Sequence, residues 1–160
     1  MNTYQQMQQM RHGHEAAPIA FFDRVNALAE HIPLALVQTL GRIGLASLFW
    51  KSAQTKLASW DVTLQLFENE YTLPVIPPEL AANLATATEI GGAVLILTGF
   101  ATRYAALALI GLVATIQLFV FPENWGEHSL WAALLVFLVA RGAGPLSIDR
   151  LLKYVVSKRS

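Results

Sequence analysis

The sequence predicts an all-α fold, an integral membrane four-helix transmembrane bundle preceded by an N-terminal interfacial helix. Composition is the first reason. Of 160 residues 54% are hydrophobic and only 14% charged, where soluble chains carry about 25% charged residues. Pattern is the second. Four apolar runs occupy roughly residues 33–57, 80–100, 104–121 and 129–140, and a helix needs about 20 apolar residues to cross a hydrocarbon core of about 30 Å. A soluble bundle would carry a charged stripe on every helix, and "AALALIGLVATIQLFVF" has none. Helices are the spanning choice because lipid offers the backbone no hydrogen-bond partner.

The elements follow in chain order. Residues 1–17, "MNTYQQMQQMRHGHEAA", are polar and lack the apolar stretch of a secretory signal, so a disordered tail is expected. Its three methionines and two histidines are too scattered to define a metal site, and no metal is assigned. In residues 18–33 the apolar positions Ile19, Phe22, Val25, Leu28 and Ile32 suit a short amphipathic helix on the membrane surface. The four spans fill residues 34–152, and a basic cytoplasmic tail closes the chain over residues 153–160. The long connection between the first two spans, "DVTLQLFENEYTLPVIPPE", mixes apolar and acidic residues and ends in prolines. A short helix covering the bundle mouth is expected there.

Orientation comes from lysine and arginine, which gather on the cytoplasmic side of short connections. Arg11 and Arg24 precede the first span, Arg103 lies between the second and third, and Arg141, Arg150, Lys153, Lys158 and Arg159 follow the fourth. The other two connections carry only acids: Asp61, Glu68 and Glu70, then Glu123 and Glu127. Both termini are therefore expected in the cytoplasm. Net charge is zero, which gives no reason to expect a nucleic-acid partner. The chain has no cysteine, which excludes disulfides, dithiol exchange and thiolate metal sites.

Ionisable residues within spans are costly and need partners. Counting from Leu34 at about 1.5 Å per residue, Arg42 lies roughly 12 Å inside the inner boundary, with Lys51 and Lys56 near the outer one. Arg42 and Lys56 fall within about 40° of each other around the helix, while Lys51 points nearly opposite. Glu89 is the one acid within a span. Its neighbours Ala85, Thr86, Gly92 and Ala93 are small, so it should face the interior. Arg42 is its expected partner, the two differing in depth by only about 6 Å, and Gln117 comes out at nearly Glu89's depth. These four, Arg42, Lys51, Glu89 and Gln117, are the candidate intramembrane polar site. Lys56, Trp125, His128 and Trp131 are candidates at the outer mouth. No phosphate loop, nucleophile constellation or zinc spacing occurs, and no catalytic residue can be named.

The segments "FWKSAQTKL", "LFENEYTLPVIPPELAANLA", Glu89, "LTGFATRYAAL", "IQLFVFPENWGEHSLWAALL" and "GAGPLSIDRLL" resemble the DoxX family of small four-helix bacterial membrane proteins over about residues 41–152. They look most like the subgroup encoded beside biosynthetic clusters for metal-buffering, copper-responsive peptides. The resemblance implies a bacterial inner-membrane component linked to redox or metal stress, with redox or metal-handling proteins as partners besides the bilayer. It leaves three functions open: a non-catalytic anchoring or assisting component, a quinone-binding oxidoreductase subunit, or a small transporter with Glu89 in its path. A quinone head group is the cofactor that Arg42, Gln117 or His128 could hold.

Overall fold

The computed structural model describes residues 21–158. The tail expected in residues 1–17, the start of the interfacial helix and the last two residues lie outside them. The chain divides into two compact units, residues 1–34 and residues 35–160. The described part of the first, residues 21–34, holds helix α1, Phe21–Glu30, whose Phe21, Phe22, Val25 and Leu28 are all exposed, and ends on the first residue of the next helix.

The second unit is built from helices alone among the described residues. In order these are α2 (Leu34–Ala58), α3 (Trp60–Asn69), α4 (Pro78–Thr98), α5 (Thr102–Thr115) with a π-helical continuation over Ile116–Val120, α6 (Trp125–Arg141) and α7 (Ile148–Ser157). Four of them share one core: Leu45 and Phe49 of α2, Ala93 and Ile96 of α4, Ala106 and Leu109 of α5, and Leu135 and Leu138 of α6. The outward surface is apolar too, with Leu40, Ile43, Leu84, Leu97, Leu107, Leu118 and Val136 exposed. A water-facing surface would not carry so continuous an apolar cover. This is an all-helical membrane fold. α4 and α5 with its continuation are each long and apolar enough to span, and a third span qualifies when α1 and α2 are counted together. At 17 residues α6 is only about 25 Å long.

Small residues let the helices approach. A Cβ added to Gly92 would lie 2.7 Å from Leu109, so α4 and α5 touch where a side chain is missing. Pro78 opens α4 at a position where its absent N–H costs nothing. Gly99 closes it in the left-handed region, its N–H donating to Ile96 and that of Phe100 to Leu95, the paired bonds of a Schellman cap.

The connection after α2 forms the short helix expected. Phe67 of α3 is buried with Ala81 and Ala82 of α4, and Tyr71 and Leu73 pack beside them. Val75 does not pack down with them: it is 87% exposed, on a proline-bounded stretch that carries no helix.

Candidate functional site

A cavity of about 930 Å³ opens at one end of the bundle, between the last turns of α2, helix α3, the start of α4, the end of α5 and the start of α6. Its walls are largely apolar and aromatic, including Phe67, Tyr71, Phe121 and Trp131. Ser52, Lys56, Glu89 and His128 supply polar atoms. Tyr71 stands edge-on between Phe67 and Phe121, at 5.4 and 5.5 Å between centroids. Burial and the nearby Glu70 raise its phenol above the ordinary value, keeping the hydroxyl neutral.

Glu89 is 2% exposed and pairs with Lys56, not with Arg42. The Lys56 ammonium donates to Glu89 Oε1 at 2.7 Å, to Oε2 at 2.9 Å and to Ser52 Oγ at 2.9 Å, and Ser52 donates in turn to Oε1 at 3.0 Å. The two carboxylate oxygens sit too close together to take a hydrogen each, so they share one, a second serves Ser52, and the third points away from the pair. The expected Arg42 partnership fails because helical side chains lean towards the helix N-terminus. Lys56 reaches back a full turn over Ser52, and so meets an acid that its backbone position overshoots. Lys51 is exposed, outside the cavity wall, and pairs with no acid among the described residues.

Arg42 lies towards the opposite end. Its guanidinium donates to the carbonyls of Ile96, at 2.8 Å, and Leu97 in the last turn of α4, and to Ala143, at 3.1 Å, and Leu146 in the loop after α6. These carbonyls belong to a helix end and a loop, where helical partners run out (Ile96 also accepts from Gly99), and a cation at a helix C-terminus suits the macrodipole. Seven to eight residues of α4 separate this anchor from Glu89, about 11 Å along the axis. The depth count misjudged this because α2 starts beyond the end of α4, so Leu34 does not mark the same level as Thr98.

One turn before Arg42, the buried Gln38 donates to the carbonyls of Arg141 and Gly142. Asp149 accepts from the N–H groups of Ala101, at 2.8 Å, and Thr102, at 3.2 Å, holding Ala101 at φ +48°. Sequence reasoning did not single out Gln38 or Asp149. The four-residue spacing of Gln38 and Arg42 was the available signal.

Gln117 and His128 come together at the cavity wall. The π-helical turn, marked by the Phe121 N–H donating to Ile116, widens α5 just where Gln117 turns inward. Gln117 Nε2 donates to the Pro122 carbonyl at 2.7 Å, and its Oε1 lies 2.7 Å from His128 Nδ1. His128 is 4% exposed, its ring 5.1 Å from that of Trp131, which stands edge-on to Phe49 at 6.4 Å. Trp125, by contrast, is 63% exposed and outside the wall. The expected sites therefore separate: Lys56, Glu89, His128 and Trp131 share the cavity with Gln117 behind His128, while Arg42, Lys51 and Trp125 stand apart. Ser52 was missed, although its place four residues before Lys56 put it on the same face. Among the described residues no cluster of histidines and carboxylates has the makings of a metal site.

The family model described as DoxX matches residues 37–122, just over half the chain. The matched stretch includes Arg42, Lys56, Glu89 and Gln117 and stops short of His128. Neither the curated proteins nor the solved structures yielded a match.

Proposed function

This chain belongs to the DoxX family, and we propose that it serves as a ligand-binding inner-membrane component of a redox- or metal-stress-associated assembly, not as a stand-alone enzyme. The cavity carries the proposal. It is within the roughly 300–1,000 Å³ of small-molecule sites, and it has their character of apolar walls with a few convergent polar groups. Its walls suit a lipid-soluble molecule with a flat polar head, and a quinone fits. A ring can lie against Trp131, Tyr71 and Phe121, with its oxygens towards His128 and the Lys56–Glu89 pair. A quinone would bring two-electron redox chemistry. The chain itself has no cysteine with which to exchange electrons through a dithiol. Its contribution is to bind, orient and dry the head group and to dock the proteins that supply or take electrons.

Charge distribution supports four spans with the cavity on the outer side. Arg103, Arg141, Arg150, Lys153 and Lys158 lie at the opposite end, and the acids Asp61, Glu68, Glu70, Glu123 and Glu127 at the cavity end. In this arrangement the exposed apolar residues of α1 rest on the inner membrane surface. A cytoplasm-active reporter fused after Ser160 and a periplasm-active one inserted at Asn69 should both work, and opposite signals would reverse the orientation.

Binding is tested by titrating a decyl-substituted benzoquinone into purified protein in nanodiscs while following tryptophan fluorescence and melting temperature. Saturable quenching is expected, lost when Ala85→Phe fills the cavity. Linear partitioning indifferent to Ala85→Phe would overturn the proposal. Transport is the reading this geometry favours least, because beyond Glu89 the helices close on Phe49, Ile96, Leu109 and Leu135.

A further inference from the structure

The hydrogen bonds around His128 fix which head group the cavity can take, an argument that rests on the binding role proposed above. The Pro122 carbonyl can only accept, so the Gln117 atom 2.7 Å from it is the amide nitrogen. Gln117 therefore presents its oxygen to His128 Nδ1 at 2.7 Å, and that oxygen can only accept as well. The proton of a neutral His128 must then sit on Nδ1. Nε2 carries the lone pair, makes no hydrogen bond among the described residues and is not sealed from the cavity that His128 lines.

The cavity's other polar groups are mixed: Asn124 and Thr88 carry donors, and Glu127 brings a further carboxylate. On Lys56 the hydrogens directed at Glu89 and Ser52 are committed, and the one that points away from them can serve either a hydroxyl or a carbonyl oxygen. The Tyr71 hydroxyl both donates and accepts, so it discriminates neither way. His128 Nε2 differs from these in that a buried neighbour fixes its role, and it asks for a donor.

We infer that His128, locked by Gln117 as its Nδ1–H tautomer, selects ligands whose head group donates a hydroxyl hydrogen bond. The ligand class is a lipid-soluble phenol or hydroquinone, and an oxidised quinone is the weaker binder. His128 is thus a specificity-determining residue and Gln117 a positioning residue that acts through it. A carbonyl oxygen facing Nε2 would set acceptor against acceptor and leave both without a hydrogen, which is what makes a site discriminate strongly.

The test compares three decyl-substituted ligands on one ring, the hydroquinone kept reduced under anaerobic conditions, its quinone and its dimethyl ether, bound to the full chain in nanodiscs. Affinity for the hydroquinone should exceed that for the other two by about tenfold or more. His128→Phe should abolish the preference while the three ligands still bind, and Gln117→Leu should weaken it by freeing the ring to take the other tautomer. The ¹⁵N shifts of the His128 ring, assigned by its loss in His128→Phe, should show a protonated Nδ1 and a bare Nε2. That measurement and the ligand series need no variant to bind or function. Equal affinity for the three ligands, or a protonated Nε2 on a neutral ring, would overturn the selectivity while leaving the cavity's binding role intact. Failure of all three to bind saturably would overturn both.

Discussion

Removing the charges of Lys56 and Glu89 one at a time and together distinguishes the pair seen here from the one that the sequence suggests. Glu89 is 2% exposed and the Lys56 side chain 19%, so this is a largely buried pair, and breaking such a pair costs about 3–5 kcal/mol in soluble proteins. Two features reduce the figure. In Lys56→Met the Ser52 hydroxyl still donates to Glu89, so the carboxylate is not left bare and a loss at the lower end, about 3 kcal/mol, is expected. In Glu89→Leu the orphaned ammonium can turn its stem towards water, and about 2 kcal/mol is expected by the same reckoning. The double variant leaves no unpaired charge and should cost less than the two losses added, with a coupling of about 1–3 kcal/mol. Arg42→Leu combined with Glu89→Leu should instead be additive within about 0.5 kcal/mol, since the two sites share no partner and lie about 11 Å apart along α4. Unfolding of purified protein by SDS in mixed micelles, followed by tryptophan fluorescence, gives the four free energies of each cycle. Additivity for Lys56 with Glu89, or coupling for Arg42 with Glu89, would refute the assignment.

Other perturbations reach separate parts of the fold. Arg42→Leu strips the partner from four carbonyls and should cost at least about 3 kcal/mol; Arg42→Lys should recover only part of that in the same assay, because three compact donors cannot span two separate segments. Gly92→Ala should lose about 1–3 kcal/mol against Leu109, whereas Gly91→Ala, whose Cβ meets open space, should gain up to about 1 kcal/mol from helix propensity. α7 buries no residue, and Ile148, Leu151, Leu152, Val155 and Val156 form one stripe opposite Arg150, Lys153 and Ser157, so it should lie along the membrane surface. The chain has no native cysteine, so spin labels at Leu152→Cys and Lys153→Cys can be read singly. Oxygen should reach the first more readily and a water-soluble nickel chelate the second; equal access would count against a surface helix.

The helices were legible because lipid imposes a simple demand. Each apolar run had to close its own backbone bonds, and the four runs became α2, α4, α5 and α6 with bounds displaced by only a few residues. Interior placement of Glu89 was legible for a related reason, its small neighbours. Partner choice was not. Depth counted from helix starts assumes that neighbouring helices begin and end at common levels, yet Arg42 aligns with Ile96 at the end of α4. Side-chain lean then decided between Arg42 and Lys56, and a count of backbone rise omits it. His128 was underrated because a histidine at an interface has many innocent explanations. What gives it significance is the π turn that aims Gln117, and an extra residue in a helical turn has no pattern of its own in the sequence.

The two ends of the bundle use their polar residues differently, and the difference separates architecture from function. At the α4 C-terminal end Arg42, Gln38 and Asp149 bind backbone groups: carbonyls at the ends of α4 and α6 and in the loop before α7, and N–H groups at the start of α5. Partners that are backbone cannot exchange without moving a helix end, so this cluster can only hold. At the cavity end the partners are side chains. Lys56, Ser52 and Glu89 form a closed set that an entering molecule can reopen, because an ammonium on a flexible stem redistributes its hydrogens at small cost. His128 goes further and keeps an atom unsatisfied beside an apolar wall. That atom opens on the cavity and is not sealed in the core, so it is placed to meet what enters. Loss of Glu89 therefore perturbs folding and binding together and cannot by itself separate them. Loss of His128 removes the open acceptor and leaves the latch at the other end untouched, so it is the substitution whose phenotype reports on function.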